Sequence, residues 1–378
     1  MNYLPEKLKK QLDSRSENNA LRSLYVIEEM VDFSSNDYLG FGTSDLIFNG
    51  TIDILKENDL QKNGSGGSRL LSGNFKLYEE TEKQIAQIHK SEAAVIFNSG
   101  YDANIGFFGS LPQREDVVIF DELIHASIRD GIRLGKSNSF KFKHNDLQNL
   151  EVLLSRTQCA GEIYVVTESV FSMDGDSPDL KALSDLCNQN RCRLIVDEAH
   201  AVGVIGKGLG LVQELGLEDQ VFARIITFSK ALGCHGAAVL GERNLIVYLL
   251  NFARSLIYTT ALSPHSIATV NAAYKQLNTT TNIKALRTNI TLFRSLIMLY
   301  KLDCYFLKSE SAIQCCVIPD NRKVKNIALK CTHKGFDVKA ILSPTIAVGK
   351  ERLRICLHSF NTEKEIIEFV DLLATLMK

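Results

Sequence analysis

Short β-branched runs recur through the first two thirds of the chain, separated by stretches whose apolar residues fall at helical spacing. The runs Ala94–Phe97, Val117–Phe120, Phe140–Lys143, Ile163–Thr167, Leu194–Val196, Ile225–Phe228 and Ala237–Leu240 predict strands. One of the helices between them is predicted from Pro178, with Ser177 as cap and Leu180, Leu183 and Leu186 toward the core. Strands alternating with helices predict an α/β fold, a mainly parallel sheet covered by helices. Ligands meet such sheets at the carboxyl ends of the strands, so the residues just after each run carry the functional information.

Past residue 275 the texture changes. The polar segment Asn278–Asn282 leads into an amphipathic helix. A second helix is predicted to end near Gly335, followed by strands at Asp337–Leu342 and Arg352–His358 and a last helix from Thr362. The expected organisation is a large domain over 46–277 and a smaller α+β domain over 278–378, with residues 1–45 packing against the smaller one. In Arg352-Leu353-Arg354-Ile355, alternation places both arginines on one face; that face is expected to be polar and the opposite one buried.

Charge adds an exclusion. Among 378 residues, 43 Lys and Arg balance 44 Asp and Glu, so no broad basic surface points to a nucleic acid or an anionic membrane. The longest apolar stretches, such as Leu245–Phe252, fall far short of the ~20 residues of a membrane helix. The opening residues are charged and polar, without an apolar export segment. The nine cysteines include no C-x-x-C pair. They predict a reduced, cytoplasmic chain with no metal site. Composition leaves an enzyme and a binding protein equally open.

Two motifs mislead. Asp197-Glu198-Ala199-His200 spells the DEAH string of ATP-driven helicases, but the required phosphate loop is missing. Its nearest match, Gly135-Lys136-Ser137, has Asp130 where the upstream glycine belongs. Gly206-Lys207-Gly208-Leu209-Gly210 lacks dinucleotide-loop spacing and reads as a turn. More telling is a series of polar residues after successive strands: Ser99-Gly100-Tyr101, His125, Ser172, Asp197 with His200, and Thr227 followed by Lys230. Small residues opening a helix, as at Ser99-Gly100, leave backbone N–H groups free for a phosphate. A lysine at the end of an apolar strand invites a chemical explanation, because a neutral amine forms a Schiff base with an aldehyde. An aspartate on a nearby strand end would keep a pyridine nitrogen protonated. Singly, each is better read as a surface lysine or a capping aspartate. Together they form the pairing that pyridoxal 5'-phosphate requires.

The chain resembles the α-oxoamine synthases, pyridoxal-phosphate enzymes of fold type I, over nearly its whole length. The resemblance rests on Phe33-Ser34-Ser35-Asn36-Asp37-Tyr38-Leu39-Gly40, Gly64-Ser65-Gly66-Gly67-Ser68-Arg69, Ser72-Gly73-Asn74, His125-Ala126-Ser127, Val170-Phe171-Ser172-Met173-Asp174-Gly175-Asp176, the Asp197–His200 string and Thr227-Phe228-Ser229-Lys230-Ala231-Leu232-Gly233. It implies a seven-stranded, mainly parallel sheet in the large domain and a homodimer with active sites at the interface. It further implies decarboxylating condensation of an amino acid with an acyl-coenzyme A. By the same resemblance, Lys230 carries the cofactor and Asp197 pairs with its ring nitrogen. His200 meets the phenolic oxygen, His125 stacks on the ring, and Ser172 lines it. Gly100, Tyr101 and Thr227 hold the phosphate, and Thr260 reaches the partner subunit's cofactor. Arg354, assisted by Asn36, clamps the substrate carboxylate, and Arg22 matches a further active-site arginine.

Finer matches at Phe33–Gly40 and from Asn251-Phe252-Ala253-Arg254 to Tyr258-Thr259-Thr260-Ala261 imply L-alanine and a pimeloyl thioester as substrates, in biotin synthesis. Sister reactions, such as that of glycine with acetyl-coenzyme A, share the catalytic set. Two departures stand out. Leu342 occupies a position where bacterial members of this subgroup often carry arginine, and Ser229 replaces the common glycine before the lysine. His235 receives no role.

Overall fold

The computed structural model describes residues 3–22, 24 and 29–377. The chain divides into two compact units. One comprises residues 36–172 and 176–283; the other takes residues up to 35, 173–175 and 284 onward.

The first unit is built on the seven predicted strands. These are β1 (Ala93–Phe97), β2 (Val117–Asp121), β3 (Asn138–Phe142), β4 (Ile163–Glu168), β5 (Arg193–Asp197), β6 (Ala223–Thr227) and β7 (Ala237–Gly241). Their order across the sheet is β1-β7-β6-β5-β4-β2-β3. All pairings are parallel except those of β7, which runs antiparallel to both its neighbours. Period-two alternation explains why both faces are apolar. Val118, Val166, Ile195 and Val239 pack on one side with Phe107, Ile128 and Leu249. Val117, Ile119, Val165, Leu194 and Val196 pack on the other with Leu150, Leu183 and Val212.

Two details differ from expectation. The helix after β4 spans Leu180–Gln189 and is capped by Asp179, which accepts from Ala182 N at 3.0 Å. A carboxylate satisfies the first-turn N–H groups and their dipole better than Ser177 would, so the start moves past Pro178. Strand β3 begins at Asn138 instead of Phe140. It lies at the sheet edge, where its polar outer residues stay in water and leave no apolar signal.

The second unit carries a three-stranded antiparallel sheet ordered Lys339–Ile341, Arg352–Cys356, Ile313–Val317. The middle of the expected strand Asp337–Leu342 is broken. Phe336–Asp337 pairs in parallel with Val31–Asp32, while Lys339–Ile341 joins Arg352–Cys356. Ile313–Val317 was not expected. It places Arg352–Cys356 in the centre of the sheet and overturns the two-faced reading of that strand: all five residues are buried, Arg352 and Arg354 included. Helices Asn321–His333 and Glu363–Leu376 belong to this unit, the latter with a full capping box between Thr362 and Glu365. Phe33 stacks on Phe369 at 4.5 Å between ring centres, and Phe336 lies 5.4 Å from the same ring.

Candidate active site

Parallel pairing brings the carboxyl ends of β4, β5 and β6 into one row. Glu168 stands opposite Asp197, and Asp197 opposite Ile225, two residues before Thr227. Lys230 follows in the loop that reverses the chain into β7. Backbone bonds from Gly233 N to Lys230 O (2.8 Å), Cys234 N to Phe228 O (2.8 Å) and Phe228 N to Gly236 O (2.9 Å) fix that loop. Gly233 adopts a φ of +61°, and a Cβ there would stand 2.1 Å from Gly42 N, so the turn admits no side chain. His125 lies beyond β2 and caps the helix Ala126–Leu134.

Asp197 is buried and well supplied with donors. Its Oδ1 accepts from Ala199 N at 2.9 Å and its Oδ2 from Asn104 Nδ2 at 3.0 Å. Buried His200 shares a 2.8 Å bond between Nδ1 and the Tyr38 hydroxyl, which also donates to Asn36 Oδ1 at 3.1 Å. Burial lowers the pKa of His125 and the Lys230 charge adds to this, against Asp197 and Asp130. Glu168, whose Oε1 accepts from His125 N at 2.5 Å, is pushed well above the usual carboxylate range by burial and by Asp197 beside it. A carboxyl perturbed in this way is common at catalytic sites.

The helix Gly100–Ser110 opens with Ser99, whose Oγ accepts from Asp102 N at 3.0 Å. A Cβ on Gly100 would stand 3.6 Å from Thr227 Oγ1, so this helix N-terminus and the Thr227 hydroxyl face one another. That hydroxyl bonds Ser229 Oγ (2.9 Å) and donates to Gly236 O (3.2 Å). The Tyr101 hydroxyl donates to Asp130 Oδ2 at 2.7 Å. Exposed Thr260 gives its carbonyl to Asn98 Nδ2 at 2.7 Å, and Ser172 is half-buried beyond β4. Arg22 and Arg354 belong to the other unit. Arg22 donates to Thr345 Oγ1 at 3.3 Å, and Arg354 Nη1 lies 3.1 Å from Cys356 Sγ.

The DEAH string resolves into two unlike carboxylates. Glu198 turns into the core, accepting from Ser169 Oγ (2.9 Å) and Val212 N (3.0 Å), with Arg224 at 3.9 Å. A Cβ on Gly210 would press to 2.6 Å from its oxygens. It is a buried neighbour of Arg224. Asn104 was not singled out in the sequence, whereas Glu168, next after the strand Ile163–Thr167, and Tyr38 and Ser127, within the quoted motifs, received no role there. Asn104 left one trace in the sequence, an amide among Ala103, Phe107 and Phe108 on an apolar helix face.

The donor set suits pyridoxal phosphate: a carboxylate backed by two donors, a lysine on the adjoining strand's loop, and a helix N-terminus facing a hydroxyl. An amine, a carboxylate and an anion cradle at neighbouring strand ends of this sheet define a fold-type-I pyridoxal-phosphate transferase. The chain belongs to the aminotransferase class I and II family, whose profile matches residues 28–373, and within it to the α-oxoamine synthases, pyridoxal-phosphate-dependent acyltransferases. It is 39% identical over 393 residues to 8-amino-7-oxononanoate synthase of Emericella nidulans, covering 98% of this chain and 95% of that protein. With 8-amino-7-oxononanoate synthase 1 of Bacillus subtilis it shares 32% identity over 382 residues, covering 97% and 96%. The crystal structure of the Francisella tularensis 8-amino-7-oxononanoate synthase matches with a TM-score of 0.78 at 27% identity, over 92% of this chain and 98% of that one. Serine palmitoyltransferase of Sphingomonas wittichii matches in fold, with a TM-score of 0.90 at 23% identity, over 99% and 98%.

Proposed function

We propose that this enzyme condenses L-alanine with a pimeloyl thioester, releasing carbon dioxide and the free thiol and forming 8-amino-7-oxononanoate for biotin synthesis. The observation that carries the reading is the row of His125, Asp197 and Lys230 at neighbouring strand ends, in a chain 39% identical to a synthase of that name. When bound, pyridoxal phosphate supplies an aldehyde that captures amines and a ring that accepts electrons from the amino acid's α-carbon. Asp197 holds a proton on the ring nitrogen, with Asn104 and Ala199 fixing the carboxylate. Lys230 would hold the cofactor's aldehyde and, as a neutral amine, would be the base that moves the α-proton. His125 covers one ring face, Ser172 lines it, and His200, oriented by Tyr38, meets the phenolic oxygen. Gly100, Tyr101 and Thr227 hold the phosphate, joined by Thr260 of a second subunit in a cytoplasmic homodimer. Arg354 and Asn36 bind the amino-acid carboxylate, and Arg22 assists; a planar guanidinium suits that group.

A second reading draws on Leu342. With leucine where a basic residue would meet the far carboxylate of a pimeloyl chain, an uncharged acyl chain is the alternative, with the catalytic set unchanged. Thiol release from alanine, glycine and serine, each against acetyl-, pimeloyl- and palmitoyl-coenzyme A, separates the two. Preference for alanine with pimeloyl-coenzyme A is expected; preference for glycine with acetyl-coenzyme A overturns the biotin assignment. Lys230→Ala is expected to lose turnover and the visible absorbance of the lysine-bound cofactor. Wild-type spectrum and rate in that variant would remove Lys230 from its role.

A further inference from the structure

A single amide joins two of these residues. Asn104, 2% exposed, donates from Nδ2 to Asp197 Oδ2 at 3.0 Å and from the same nitrogen to Ser127 Oγ at 3.0 Å. A carboxylate has no hydrogen to give, so the atom facing it is the nitrogen, and the amide's orientation follows. Its Oδ1 has no partner among the described residues. The reverse orientation would set that oxygen against the carboxylate, so the orphan acceptor is the lesser penalty.

The next bonds are set by the Ser127 backbone. Ser127 Oγ accepts from Asn104 and lies 2.7 Å from His125 Nδ1. Ser127 N donates to Nδ1, at 3.3 Å. A backbone N–H can only donate, so Nδ1 carries no proton; the Ser127 hydroxyl then turns its hydrogen to Nδ1, and the ring's single proton is on Nε2. We propose that Asn104 and Ser127 are positioning residues that lock His125 as the neutral Nε2–H tautomer while the same amide anchors the Asp197 carboxylate. The inference rests on the reading above only in giving His125 a ring face to cover. The bond order belongs to the chain without cofactor.

The groups facing His125 show why a lock is useful. Asp197 from β5 and Asp130 from its own helix favour an imidazolium, and Lys230 from the loop after β6 opposes it. The Glu168 carboxyl at the end of β4 bonds the His125 backbone N–H. Two acidic neighbours would otherwise draw a second proton onto the ring. A cationic imidazole over a protonated pyridine, beside a lysine, would repel the ring proton that Asp197 is there to hold. Asn104 thus serves two opposite demands: a charged Asp197 and an uncharged His125.

The test is made on cofactor-free protein. Long-range proton–nitrogen NMR of the labelled imidazoles, assigned with His125→Gln, is expected to give His125 a bare Nδ1 and a protonated Nε2. Its titration is expected to lie below the ordinary histidine range. Ser127→Ala, which removes only the hydroxyl, is expected to mix the tautomers and raise the midpoint by about one pH unit; Asn104→Ala is expected to do the same. In the loaded enzyme the acid limb of the kcat/KM profile should move upward with it. A protonated Nδ1 in the wild-type protein overturns the proposal with no variant needed. So does an unchanged tautomer ratio and midpoint in folded Ser127→Ala. Failure of the wild type to use pimeloyl-coenzyme A would remove the proposed reaction and leave this result standing.

Discussion

His144 offers a quantitative test of how the first unit is held together. It follows β3 and sits between two carboxylates. Nδ1 lies 2.9 Å from Asp121 Oδ1 and Nε2 lies 2.8 Å from Asp176 Oδ2, with the Phe171 ring edge-on at 4.5 Å. Burial works against its charge, but hydrogen bonds to Asp121 and Asp176 outweigh this and lift its pKa from 6.5 to about 10. At about 1.4 kcal/mol for each tenfold change, that rise corresponds to a ceiling of about 5 kcal/mol. The His144 side chain is 20% exposed and that of Asp176 27%, so water shares both charges. We expect about half of the ceiling, roughly 2–3 kcal/mol. Because the folded pKa is raised, the contribution is complete below pH 6.5 and fades as pH climbs to about 10. His144→Gln keeps one hydrogen bond and cannot become charged. Urea unfolding of both proteins, followed by circular dichroism from pH 6 to 10.5, should give a gap of roughly 2–3 kcal/mol at pH 6.5. That gap should close toward pH 10.5. A gap that stays constant across the range would refute the ion-pair argument.

Two further outcomes follow from packing. Of nine free cysteines only Cys304 is exposed, and burial pushes the Cys192, Cys315, Cys316, Cys331 and Cys356 thiols up. A thiol reagent should therefore label the native protein rapidly at one position, and Cys304→Ser should abolish that phase; several fast thiols would contradict the burial. Gly233→Ala forces a Cβ to 2.1 Å from a backbone nitrogen at a φ of +61°, which should cost about 3 kcal/mol or more, read as a lowered melting temperature and weaker retention of the cofactor. A wild-type melt and affinity would show that the Lys230 loop tolerates displacement.

The sequence made the seven-stranded sheet legible because its inner strands are apolar on both faces and bounded by caps. It concealed Asn138–Ser139, whose polar side chains lie on an exposed edge, and Ile313–Val317, where Gln314 and two cysteines interrupt the β-branched pattern. Arg352 and Arg354 show a different limit. Alternation tells which side chains share a face, and only the neighbouring strand tells whether that face is covered. At the site, the places of Lys230 and Asp197 after their strands were readable. The bonds made by Asn104 and Glu168 were not, because their partners lie 93 and 43 residues away.

The second unit has a consequence for how the chain emerges from the ribosome. Phe33 needs Phe336 and Phe369 around it, and Val31–Asp32 needs Phe336–Asp337 as its pairing partner. The Phe33 carbonyl receives Cys356 N, and the Asp32 carbonyl receives Asn361 Nδ2. None of these partners exists until some three hundred further residues have been translated. The sheet of the first unit can close during synthesis, whereas the early segment waits with its aromatic ring exposed. A chain ended before the last helix would have the sheet of the first unit finished and an apolar strand without its cover, a ready client for chaperones and proteases.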